Sequence, residues 1–91
     1  MPAHEVILVS QEGCNPCLRV KRILDEIRGE GEGFDLREVR LDSDEGSGLA
    51  VRHSIFFPPA VFVDGRLVGK GKVREEDLRR ALGARCTPSL R

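Results

Sequence analysis

Apolar and polar positions along this chain fall into short blocks, and each block has its own period. Val6-Ile7-Leu8-Val9 is a continuous, largely β-branched run inside residues 5–10, which predicts a buried strand. Gln11-Glu12-Gly13 turns the chain, after which Cys17, Val20, Ile23, Leu24 and Ile27 recur at helical spacing along one face. Gly29 reads as the residue just past that helix, and residues 29–33 (Gly-Glu-Gly-Glu-Gly) as a flexible connector. Residues 35–41 predict a second strand, with Val39 and Leu41 alternating against Glu38 and Arg40. Phe34 and Leu36 fall on the opposite parity, which predicts a bulge or a late strand start.

The stretch from Asp42 to Gly48 is polar and offers Ser43 or Ser47 as the N-cap of a short helix over about 47–54, contributing Leu49, Ala50 and Val51. Ile55-Phe56-Phe57 leads into Pro58-Pro59, where no helix can continue. Asp64-Gly65 lies between Ala60-Val61-Phe62-Val63 and Arg66-Leu67-Val68, a two-residue hairpin signal, because a type I′ turn needs positive φ at both central positions. Residues 74–82 predict a last helix that buries Leu78, Ala81 and Leu82 and stops at Gly83. The order is β-α-β-α-β-β-α, in one domain over 1–83 with a poorly ordered tail over 84–91. A right-handed helical crossover pairs the first two strands in parallel, and the hairpin adds an antiparallel pair. The fold class is an α/β sandwich with a mixed sheet covered by helices.

Composition narrows the function classes. Ninety-one residues hold one modest core, and 15 basic against 15 acidic side chains give a formal net charge of zero with no basic block. Counterion release therefore offers little drive toward nucleic acid. The apolar runs fall far short of the roughly 20 residues a membrane span requires. The first five residues lack the basic and apolar regions of a signal peptide, so the expectation is a cytoplasmic protein without nucleic-acid or membrane partners, and a monomer. Three cysteines are too few, and odd in number, for a disulfide-stapled secreted fold. Cys86, far from the other two, reads as a spare thiol.

The chemistry concentrates in Cys14-Asn15-Pro16-Cys17, which opens the first helix. A helix start carries unpaired N–H groups and a partial positive charge, which favour a thiolate over a thiol. The thiolate is the form that attacks disulfides. Redox chemistry, metal binding and a structural role are all open to a C-x-x-C. Zinc usually takes four ligands, and the sequence has neither a second C-x-x-C nor a histidine pair at ligand spacing, so no metal is expected. His4 and His53 read as surface or packing residues. Arg19, Lys21 and Arg22 read as a solvated helix face that could also steer an anionic thiol, and Lys70 and Lys72 as carboxylate-binding or solvated. Glu12 is assigned to solvent.

The element order, the C-x-x-C at the first strand-to-helix turn, and a proline just before an Asp-Gly hairpin together resemble the thioredoxin fold, and within it the glutaredoxin branch. Val6 to Cys17 looks like a glutaredoxin's first strand and redox loop, and Pro59 to Asp64 like its cis-proline and third strand. The resemblance spans residues 5–82 and implies a mixed four-stranded sheet with helices on both faces. It implies that Cys14 is the nucleophile, Cys17 the resolving thiol, and Pro59 the cis-proline facing Cys14, with Pro58 as the register alternative. Pro16 stands as in the thioredoxin C-G-P-C rather than the glutaredoxin C-P-Y-C. With Pro16, Pro58 and Lys70 beside the substrate groove, the implied activity is reduction of protein or glutathione mixed disulfides. No organic cofactor is implied; the electrons come from glutathione or from a thioredoxin reductase.

The chain also departs from both branches. Gly13 stands where thioredoxins carry Trp, and Leu8 where they place a buried Asp that accepts a proton. Gly69-Lys70-Gly71-Lys72 occupies the glutathione-binding region of glutaredoxins without their Gly-Gly pair. Pro58, before the cis position, has no N–H to give an extended substrate. These departures define the rival reading, a non-catalytic thioredoxin-fold module that binds metal or a partner protein through its C-x-x-C face.

Overall fold

A computed structural model describes residues 4–31 and 33–83. Its elements are β1 (Glu5–Ser10), α1 (Asn15–Gly29), β2 (Asp35–Arg40), α2 (Asp44–His53), β3 (Ala60–Val63), β4 (Arg66–Lys70) and α3 (Glu75–Ala81). The sheet runs β2-β1-β3-β4, with β1 parallel to β2 and antiparallel to β3, and β3 antiparallel to β4. The β-α-β-α-β-β-α order and mixed four-stranded sheet follow the sequence expectation.

Successive side chains of β1 point to opposite faces, and both faces are covered. Val6 and Leu8 pack with Val20, Ile23, Leu24 and Ile27 of α1 and Leu78 of α3, while Val9 packs with Ile55, Ala60 and Phe62, flanked by Leu49 and Ala50 of α2. This explains the parity change in the second strand. Leu36 pairs with Val6 and faces the α1 layer, whereas Val39 pairs with Val9, so apolar residues serve both faces. Neither the bulge nor the late start expected of β2 occurs: it begins at Asp35, and its register with β1 is continuous from Asp35 to Arg40. A register shift occurs instead between β3 and β4, where Val61 pairs with Gly69 but Phe62 with Leu67, leaving Val68 as the extra residue.

The helix boundaries differ in detail from the sequence reading. Gly29 is the last residue of α1 rather than its stop; Gly31, at φ +104°, makes the turn and its N–H donates to Arg28 O at 3.0 Å. Helix α2 begins at Asp44, three residues before the expected start, because Ser43 and not Ser47 caps it: Gly46 N–H donates to Ser43 Oγ at 3.0 Å. Asp44 and Glu45 in that first turn suit the helix dipole. Val51, expected in the core, faces water at 84% exposure. In α3, over Glu75–Ala81, Leu78 and Leu82 are buried as expected, Ala81 is half-buried, and Arg79 is buried as well. Its guanidinium meets Glu30 at 2.7 Å and Glu75 at 2.9 Å, so the buried charge is paired on both sides.

The hairpin turn has positive φ at both Asp64 (53°) and Gly65 (84°), as type I′ requires. The Asp64 carboxylate also accepts from Glu5 N–H at 2.9 Å and meets His4 Nδ1 at 2.6 Å, tying the turn to the start of β1. No helix among the described residues is long and apolar enough to cross a membrane. The tail over 84–91, including Cys86, lies outside the described residues.

Candidate active site

Strand β1 delivers the chain to the C-terminal end of the sheet, and Gly13, at φ +79°, turns it into α1. Cys14 is the N-cap of α1 in extended conformation, and the N–H of Cys17 donates to Cys14 Sγ at 3.1 Å. A sulfur therefore occupies the place a serine or aspartate oxygen usually takes at a helix start. Pro16 falls at the second helical position, where its missing N–H breaks no intrahelical bond. The first turn holds no acidic residue, so no carboxylate within that turn opposes negative charge on Cys14. Cys14 is half-buried, whereas Cys17 is only 2% exposed and points into the α1 core face. The two sulfurs are joined as a disulfide, with Cα atoms 5.3 Å apart.

Both cysteines border a surface depression of about 310 Å³ whose far wall is Ser10, Lys21, Glu38 and Arg40. Ser10 is buried and its hydroxyl donates to Glu38 Oε2 at 2.5 Å, while Lys21 Nζ lies 2.9 Å from Glu38 Oε1. The Ser10 hydroxyl and then the Lys21 ammonium hold the Glu38 carboxyl below its ordinary value of 4.5, so it stands ionised beside the disulfide. Sequence reasoning missed this group. Lys21 is one helical turn from Cys17, which a helical wheel shows, but Glu38 joins it only through the parallel register of β1 and β2. Glu12 is exposed, as assigned, with Arg40 at 3.8 Å.

The Pro58–Pro59 peptide is cis, which decides the register alternative in favour of Pro59. Pro59 is buried, directly precedes Ala60, and so sits level with the end of β1, where Val9 pairs with Ala60. Its carbonyl accepts from Gly71 N–H at 2.7 Å. Pro58 is half-buried. Lys70, expected near the substrate groove as a carboxylate-binding or solvated residue, is exposed and also bonded to the backbone. Its ammonium donates to the carbonyls of His53 at 3.0 Å and Ser54 at 3.2 Å, satisfying the C-terminus of α2. Lys70 does not line the depression at the cysteines. Arg19 donates to Val73 O at 3.0 Å, tying α1 to the segment before α3 rather than standing free. His53 packs edge-on against Phe62, as a packing residue should. No group of three or more His, Cys, Asp or Glu side chains among the described residues could hold a metal ion.

Comparison with known proteins places this geometry. A Glutaredoxin from Haemophilus influenzae is 26% identical over 68 residues, covering 70% of this chain and 78% of the relative. Among solved structures, an uncharacterised thioredoxin-like protein from Clostridium perfringens superposes with a TM-score of 0.66 at 18% identity, covering 91% of this chain and 71% of that one. Oxidised mitochondrial thioredoxin 3 from Saccharomyces cerevisiae superposes with a TM-score of 0.64 at 19% identity, covering 91% and 79%. At such identities the structures speak to the thioredoxin-like fold alone. The sequence carries the family: the family model for Glutaredoxin matches residues 6–68, well over half of the chain, so this protein belongs to the glutaredoxin family, with thiol–disulfide oxidoreductase chemistry at its cysteine pair.

Proposed function

We propose that the protein reduces disulfides of proteins or small thiols by a dithiol mechanism. The observation that carries this reading is the asymmetry of the pair: Cys14 caps α1 and accepts the Cys17 N–H, while Cys17 is buried behind it. In the first step the Cys14 thiolate attacks one sulfur of the substrate disulfide. A Cys14–substrate disulfide forms, the substrate S–S bond breaks, and the other sulfur leaves as a thiolate that takes a proton from water. In the second step Cys17 loses its proton and attacks Cys14 Sγ. The mixed disulfide breaks, the second substrate thiol is released, and the Cys14–Cys17 disulfide described above is formed. Two electrons pass from the dithiol to the substrate.

Helix-start N–H groups favour the Cys14 thiolate, and Pro16 holds the first turn without adding a competing donor. Pro59 and Pro58 border the end of β1 where substrate lies. The oxidised pair is returned to the dithiol by glutathione or by a thioredoxin reductase, and no organic cofactor or metal takes part. We assign the protein to the cytoplasm and to a monomeric state, acting on disulfide-containing proteins or small mixed disulfides.

The test is a pair of substitutions. Cys17→Ser should accumulate a one-to-one mixed disulfide with substrate, seen by mass spectrometry, and Cys14→Ser should abolish turnover. Full disulfide-reducing activity in Cys14→Ser would overturn the assignment. Turnover of a glutathione mixed disulfide with glutathione, compared with insulin reduction driven by thioredoxin reductase, identifies the electron donor.

A further inference from the structure

Half of the chain's four phenylalanines are placed in water. Phe34 and Phe62 are in the core, but Phe56 and Phe57 are 79% and 74% exposed. Ile55, 4% exposed, already supplies the core contact of that segment, so the fold makes little use of the two rings. With Ser54, Lys70 and Gly71 they line a second, shallow depression of about 190 Å³. It shares no residue with the depression at the cysteines but is tied through the backbone to the cis-proline: Phe57 runs through Pro58 into Pro59, and Gly71, on its rim, donates to the Pro59 carbonyl at 2.7 Å. The Lys70 ammonium at the same rim is already held by the two α2 carbonyls, which leaves the rings as the dominant contact surface.

The backbone beside this patch offers little to a substrate. Neither Pro58 nor Pro59 has an N–H, so a substrate strand along this segment finds carbonyl acceptors there and no donor. Selectivity at such a place has to come from side chains. We infer that Phe56 and Phe57 form a subsite for an apolar side chain close to the reacting cysteine of an oxidised protein segment. This inference rests on the disulfide-reductase reading above and names the substrate class for it. The patch is too small for a second copy of the chain: two phenylalanine rings offer at most about 500 Å², against the roughly 800 Å² per partner of a stable complex.

The experiment uses stoichiometric reduction by the pre-reduced protein, in a Cys86→Ser background, so no electron donor enters the result. The substrates are two symmetrical disulfide-linked peptide dimers, identical except that the cysteine is flanked by Phe in one and by Ser in the other. A small symmetrical disulfide, hydroxyethyl disulfide, is the third substrate. The expected result is that the Phe-flanked peptide reacts roughly tenfold to a hundredfold faster than the Ser-flanked one. In Phe56→Ser/Phe57→Ser that ratio should fall to within about threefold. A wild-type ratio near one, or a ratio that survives the double substitution, overturns the inference. So does a wild-type dimer in solution that the double substitution converts to monomer, since the patch is then covered by a second copy. Failure to reduce any of the three substrates overturns the reductase reading, and with it this one. Reduction of hydroxyethyl disulfide without peptide discrimination overturns this inference alone. Both rings being exposed, circular dichroism should show the double variant folded.

Discussion

The Cys17 N–H donates to Cys14 Sγ at 3.1 Å, so the sulfur that caps α1 is also the more exposed of the pair. One hydrogen bond thereby separates the roles of two chemically identical side chains. In the reduced protein an N–H held at this position would bind an anionic sulfur more strongly than a neutral one. In a Cys86→Ser background, limiting iodoacetamide should alkylate Cys14 at least about tenfold faster than Cys17. Peptide mapping of the alkylated protein gives the ratio, and equal labelling would show that burial and capping do not distinguish the thiols.

Gly46 makes a second sharp prediction, on stability. It is buried where α2 crosses the end of β2, and a Cβ there would meet the Arg40 backbone carbonyl, lying 2.8 Å from its carbon and 2.9 Å from Leu41 Cα. Backbone cannot rotate away as a side chain would. Gly46→Ala gains helix propensity of up to about 1 kcal/mol but forces α2 off the sheet, and overpacking of this kind costs more. The net loss should be about 1–3 kcal/mol, read as a lower urea midpoint at unchanged slope.

The sequence was most legible where one residue type has one conformational use. Asp64-Gly65 could only be a tight turn between β-rich runs, and the β-branched Val6-to-Val9 run could only be buried strand. The C-x-x-C, placed between that strand and an apolar helical face, identified its own position at the helix start. Legibility failed where two residues compete for one role or where partners lie far apart in sequence. Ser43 and Ser47 both suit an N-cap, and only the close packing of Gly46 on Arg40 selects the former. Arg79 looks like a surface residue until Glu30, 49 positions away, folds over it. Lys70 looks like a free cation until the C-terminus of α2 arrives beside it. Within the candidate site the cysteines and the cis-proline were readable, whereas the Ser10–Glu38–Lys21 wall needed the strand register.

The pairing of Glu30 with Arg79 should set part of the acid stability. Hydrogen bonding to the Arg79 guanidinium holds the Glu30 carboxyl below its ordinary 4.5 in the folded protein. A depressed carboxyl stabilises the fold above its unfolded value and loses that contribution as pH falls through the folded value. Glu30→Gln should therefore lower Tm between pH 5 and 7, and the difference from wild type should close as pH drops below about 4. Arg79 keeps its bond to Glu75, so the variant should remain folded at neutral pH. A Tm difference that stayed constant from pH 7 to pH 3 would contradict the assignment.

Glu38 stands where a proton acceptor for Cys17 could be expected, and its own environment argues against that role. It borders the same depression as Cys17, but Ser10 and Lys21 hold its carboxyl below 4.5. An ordinary thiol titrates about four units higher. Passing a proton from such a thiol to this carboxylate costs about 1.36 kcal/mol for each of those units, so Glu38 would hold that proton in only a minute fraction of molecules, and Cys17 reaches its thiolate by equilibration with bulk solvent. Resolution of a preformed Cys14 mixed disulfide should then accelerate close to tenfold per pH unit between 6 and 8. Glu38→Gln should keep that slope, with the rate at any one pH within about threefold of wild type, the residual effect coming from the freed Lys21 charge one turn from Cys17. Stopped-flow release of the substrate thiol measures both quantities. A flattened pH profile in Glu38→Gln, or a loss of a hundredfold in rate, would make the carboxylate the acceptor after all.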